Sequence, residues 1–99
     1  MLCALTVRRL KAGSFDDFMG SFGPDEAEPP PGWKRFYALR STRDENEVIT
    51  FGFFDGTLED LRGSQQEGDY HDRRRSIDEL VESVGADGIY EIVEERSLG

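Results

Sequence analysis

The chain reads as one α+β domain with a ferredoxin-like βαββαβ order and a four-stranded antiparallel sheet. Three observations predict this. Apolar residues recur with strand and helix periods in the order strand, helix, strand, strand, helix, strand. The connections are short, so successive elements neighbour one another and crossovers are right-handed. The two segments that are apolar on both sides are the first and third strands, and this topology puts those two in the centre of the sheet.

The first strand is Leu2 to Leu10. Cys3, Leu5 and Val7 share one face, and Leu2, Ala4 and Thr6 share the other, with charge arriving only at Arg8 and Arg9. Lys11-Ala12-Gly13 makes a turn and Ser14 an N-cap, with Asp17 three residues on. Phe15, Phe18, Met19 and Phe22 then form a helical apolar stripe. Asp16 and Asp17 suit the positive end of the helix dipole. Gly23 and Pro24 stop that helix. Residues 24–32 carry three consecutive prolines, an extended connector too short to separate two domains. The domain therefore spans 1–99.

Trp33 to Thr42 is the second strand. Simple alternation puts Trp33, Arg35, Tyr37 and Leu39 on one face and Phe36 and Ala38 on the other. A polar hairpin, Arg43 to Asn46, leads to the third strand, Glu47 to Asp55. Its run Val48-Ile49-Thr50-Phe51-Gly52-Phe53-Phe54 is apolar on both faces, and Gly52 marks a bulge or a close approach by something bulky. Thr57 and Asp60 form a capping box for a short helix reaching about Gln66. A second helical stretch is expected from about Tyr70 to Val84, with Ile77, Leu80, Val81 and Val84 as its buried stripe and Gly85 as its C′ residue. Gly88 to Arg96 is the last strand, with one polar side suited to a sheet edge.

Composition narrows the function. Net charge is −9 and the pI is near 4.5. Such a surface repels phosphate backbones and anionic membranes, so neither nucleic acid nor membrane is expected as a partner. Arg73, Arg74 and Arg75 form the one basic cluster, which reads as a solvated helix face or as an anion-binding spot. The chain holds one cysteine, Cys3, so no internal disulfide forms, in keeping with a reducing cytoplasm. No segment approaches the ~18 apolar residues of a membrane span.

One helical layer covers one face of the sheet. The other face then carries part of the third strand's apolar run toward water. A homodimer through that sheet face is the simplest cover, because a two-fold axis lets one patch serve both chains.

The sequence resembles the dimeric α+β barrel superfamily, and within it the antibiotic-biosynthesis-monooxygenase-like group. The likeness is carried by the opening Cys3-Ala4-Leu5-Thr6-Val7-Arg8-Arg9-Leu10-Lys11-Ala12-Gly13, the Phe-rich first helix, the strand Val48 to Asp55, Tyr70-His71, and the closing Gly88-Ile89-Tyr90-Glu91-Ile92-Val93. It covers nearly the whole chain as a pattern of elements. The resemblance implies sheets paired back to back and a pocket between helices and sheet in each subunit. It implies a cofactor-independent oxygenase of aromatic polyketide-like molecules, with no cofactor, or a non-catalytic ligand-binding or protein-interaction domain. A His near the second helical region is common in the group, and His71 falls there. Haem-degrading members use an Asn on the first strand and a Trp on a helix. This chain has neither, which argues against haem degradation.

His71 is the sole histidine, and its ordinary pKa makes it the candidate proton carrier. The competing reading is a surface histidine at a helix start. Trp33, Tyr37, Tyr70 and Tyr90 are candidates to line an aromatic pocket, or are packing residues. Arg35, a charge beside Trp33 and Tyr37, either binds a substrate anion or pairs with a carboxylate across a dimer. One His, one distant Cys and scattered carboxylates make no recognisable metal set. No Ser-His-Asp spacing or phosphate loop is present.

Overall fold

The computed structural model describes residues 1–21, 31–65 and 74–99. Four strands, β1 (Leu2–Leu10), β2 (Trp33–Arg40), β3 (Glu47–Phe54) and β4 (Val81–Glu91), form one sheet in the order β2-β3-β1-β4. All three pairings are antiparallel. The two strands with apolar residues on both sides, β1 and β3, are the central pair, as their patterning requires.

Helices α1 (Phe15–Ser21) and α2 (Leu58–Ser64), together with a helical stretch at 74–78, lie on one face, called here the inner face. The Ser14 carbonyl accepts the first helical bond of α1 from the Phe18 N–H. Thr57 and Asp60 form the expected capping box on α2. The Thr57 cap is worth about 1 kcal/mol. Phe18 from α1 and Ile77 pack with Leu10 and Val48, and Phe15, Leu80 and Val81 close around them. Fully burying each of these large side chains contributes about 1.5–3 kcal/mol. Phe54 and Leu61 are buried at the other end of the inner face, outside this cluster.

Two expectations need correction. The helix expected to reach Val84 gives way to strand at Val81. Lys11 causes the early stop: its N–H takes the Leu80 carbonyl and its Nζ donates to the Glu79 carbonyl at 2.9 Å. The chain is thereby delivered to the β1 edge, where Val81 pairs with Leu10. Val81 and Val84 satisfy a helical spacing, but both are β-branched and fit a strand equally well. Gly85 is accordingly no helix cap; it is the extra residue where the β1–β4 register shifts between Val7 and Arg8.

The second correction concerns β2. Trp33 pairs with Phe54 and Arg35 with the adjacent Phe53, so Lys34 is an extra residue in a bulge. The bulge turns Trp33 onto the face of Phe36 and Ala38. Arg35, Tyr37 and Leu39 are on the opposite face.

Candidate functional site

The register divides the sheet residues cleanly. Leu2, Ala4, Thr6, Arg8 and Leu10 of β1 share the inner face with Val48, Thr50, Gly52 and Phe54 of β3 and with Trp33, Phe36, Ala38 and Arg40 of β2. Along β3 every second residue, beginning with Val48, is buried.

The middle of this inner face is small. Ala4 pairs with Gly52, and Thr6 with Thr50, which in turn pairs with Ala38. Large apolar groups occupy the two ends instead, around Phe18 and Val48 at one end and Phe54 and Leu61 at the other.

Aromatic rings cover the Gly52 part of this face. Trp33 stacks on Phe36 with centroids 5.0 Å apart and meets the edge of Phe54 at 5.1 Å. Such pairs are worth about 0.5–1.5 kcal/mol beyond area burial. The Trp33 indole N–H donates to Ser64 Oγ at 2.9 Å, which fixes the ring against α2. Gly52 lets both rings lie against the sheet, since a Cβ there would be 2.9 Å from Phe36 and from Trp33.

Polar groups stand on the other side. Arg8 is only 6% exposed, although it sits on a central strand. Its Nη1 donates to Thr50 Oγ1 at 2.8 Å, and its guanidinium lies 5.8 Å from the Phe18 ring centroid. A burial of this kind is sustained only by hydrogen bonds and charge partners. Beside it, the Thr6 hydroxyl donates to Asp87 at 3.1 Å, and Arg74 pairs with the same carboxylate.

The sequence-predicted residues distribute as follows. Trp33 belongs to the inner face. Arg35 and Tyr37 belong to the outer face, where Arg35 Nη1 donates to the Tyr37 hydroxyl at 3.3 Å. That bond, followed by the field of Tyr37, raises the Arg35 pKa above its ordinary value. A single pocket holding Trp33, Arg35 and Tyr37 is therefore not what the fold builds. Tyr90 is opposite Cys3, also on the outer face. Tyr70 and His71 lie outside the described residues.

Sequence reasoning missed Arg8, Thr6, Thr50 and Asp87. Once β1 is a central strand, a charge two residues from Thr6 has to share its buried face, and that was the available signal. Among the described residues no group of three or more His, Cys, Asp or Glu is placed to hold a metal ion. Among them, too, no helix is long and apolar enough to cross a membrane.

The outer face has a different character. Tyr37 stacks on Phe51 at 5.0 Å, and both rings contact Phe53, at 5.9 Å and 5.6 Å. Leu39 is 46% exposed and Tyr90 50% exposed beside them. Cys3 on this face is half-buried, which pushes its thiol pKa up.

No family model and no curated protein matches the sequence. Solved structures do match the fold. SnoaB, a cofactor-independent oxygenase from Streptomyces nogalater, superposes in a mutant form with a TM-score of 0.80 at 13% identity, over 95% of this chain and 94% of that one. A protein classed as an antibiotic biosynthesis monooxygenase from Chloroflexus aurantiacus J-10-fl gives 0.78 at 14% identity, over 99% and 98%. A conserved protein from Methanosarcina mazei Go1 gives 0.75 at 11% identity, over 90% and 89%. The chain has the same α+β fold as these solved structures, several of which are described as antibiotic biosynthesis monooxygenases.

Proposed function

We propose that this chain is a small monooxygenase-like protein that takes a planar aromatic or polyketide-like molecule between its helices and the inner face of its sheet, without a cofactor. One observation carries the reading. On the inner face the Trp33 and Phe36 rings stack over Gly52, and the small residues Ala4, Thr6 and Thr50 lie beside them, with Thr50 held by Arg8. An apolar cleft with a few convergent polar groups is the usual form of a small-molecule site. The likeness to SnoaB supports the choice of chemistry.

In this reading Trp33 supplies a wall and Tyr70 a further contact. His71 removes a proton from the bound molecule. The resulting carbanion gives its electrons to dioxygen and forms a C–O bond. The peroxide takes back the proton from His71 and loses water to leave a carbonyl. The substrate is thus its own reductant, and the protein has to bind it and move the proton. Arg35 and Tyr37 serve a second copy of the chain, which covers the outer face and makes a homodimer.

The test is turnover of a planar phenolic substrate panel in air, followed by product mass. His71→Ala is expected to lower kcat by about 100-fold or more while leaving the circular dichroism and the oligomer unchanged. Wild-type protein that binds members of the panel but turns none over would leave the alternative, a non-catalytic dimeric binding domain. The aromatic outer face is the observation that favours that alternative.

A further inference from the structure

We propose that the hollow of the β2–β3 hairpin is an anion site that takes the phosphate group of a small soluble phosphate monoester. It is separate from the inner face and independent of the oxygenase reading.

Residues 40–46 curl around an open hollow of about 660 Å³. Small-molecule sites commonly span about 300–1,000 Å³. Every lining residue is polar or charged, so charge and hydrogen bonds decide what the hollow holds.

Its two arginines are available. Acidic residues outnumber Lys and Arg by 21 to 12, so carboxylate partners are plentiful. Arg9, Arg74 and Arg96 take such partners, whereas Arg40 and Arg43 make no ion pair among the described residues. Arg40 is braced on the Phe15 ring instead, 4.6 Å from the centroid. A stacked guanidinium keeps its in-plane N–H groups for another partner. Arg43 is exposed at the turn.

The turn adds hydroxyl donors. Ser41 Oγ accepts the Arg43 and Asp44 N–H groups at 3.1 Å and 3.3 Å, which fills its acceptor sites and leaves its O–H as a donor. The Thr42 side chain is exposed beside it. Of the two acids in the lining, Asp44 is already neutralised: Oδ2 takes Arg9 at 2.5 Å and Oδ1 takes the Asn46 N–H at 3.0 Å. Glu45 is the opposing charge, and it is exposed, so solvent screens it. Arg40 and Arg43 against Glu45 leave the hollow locally positive.

Two guanidinium forks and two hydroxyls offer more donors than a carboxylate accepts, and they match the three terminal oxygens of a phosphate monoester. The net charge of −9 repels polyanions and anionic bilayers, so the phosphate belongs to a small soluble molecule.

The test titrates glycerol 3-phosphate, with glycerol as the uncharged control, into the nitrogen-15-labelled full chain at constant ionic strength. Saturating shifts of the Thr42 and Arg43 amide signals are expected with glycerol 3-phosphate and none with glycerol. Arg43→Gln and Arg40→Gln should each weaken binding by about tenfold. Arg9→Gln, outside the hollow, frees the Asp44 charge and should weaken it roughly two- to fivefold. Shifts that never saturate, or that saturate only at other residues, overturn the site. So does an affinity unchanged in both Arg43→Gln and Arg40→Gln. Protein that ignores glycerol 3-phosphate but sediments with phosphatidic-acid vesicles overturns the proposal in favour of a membrane headgroup. If Arg40→Gln does not fold, Arg43→Gln and the wild-type titration still decide.

Discussion

The two faces of the sheet are made from the same four strands and have opposite designs. On the inner face the ends are large and apolar and the middle is small, with Arg8 buried beside Val48 and Phe18 and tied to Thr50. On the outer face the aromatic residues are central and half-exposed, with Tyr37, Phe51 and Phe53 in mutual contact. A protein built only to be stable would fill its core and wet its surface. Here polar groups are spent inside and apolar groups outside, and both departures are expected at places that meet another molecule.

A pair of truncations breaks or sharpens this contrast most strongly. Phe18→Ala, in the apolar end of the inner face, should cost about 3–5 kcal/mol in urea unfolding. Phe51→Ala on the outer face should approach that cost if a second copy covers it, and its effect should then vary with protein concentration. A small, concentration-independent loss would mean that the outer face is simply wet.

Gly52→Ala probes the inner face alone. The new Cβ would meet Phe36 and Trp33 at 2.9 Å, so the rings must shift. A loss of about 1–3 kcal/mol is expected, with altered Trp33 emission. An unchanged spectrum would show that the rings are not seated on the glycine.

The smallest effect belongs to Asp44 in the hairpin. The Asn46 N–H, and after it Arg9, lower its pKa. A carboxylate with a depressed folded pKa adds stability above its unfolded value and loses it as pH falls through the folded one. Asp44→Asn should therefore flatten the acid limb of the stability curve slightly, and less so in high salt. A steeper acid limb in the variant would contradict the assignment.

Much of the fold was legible in the sequence. Leu2 to Leu10 and Val48 to Phe54 are apolar on both sides, which makes them central strands, and Thr57 with Asp60 announced α2. The start of β4 was not legible, because Val81 and Val84 fit a helix by spacing and only the hold of Lys11 on Glu79 and Leu80 decides against it. The site was less legible still. A one-residue bulge at Lys34 reverses the face of Trp33, and strict alternation cannot show that. Arg8 looked like the polar end of a strand. Its burial follows from the register with β3 and from the packing of Phe18, both long-range facts.

The most direct test of two faces with two roles is the mass in solution, by light scattering at micromolar concentration, of the wild type and of Leu39→Lys. Leu39 is on the outer face, nearly half exposed, so lysine there should not disturb an isolated chain. Twice the 11.2 kDa chain mass is expected for the wild type, and a shift toward one chain for Leu39→Lys, with unchanged circular dichroism. A wild type that runs at 11.2 kDa would contradict it.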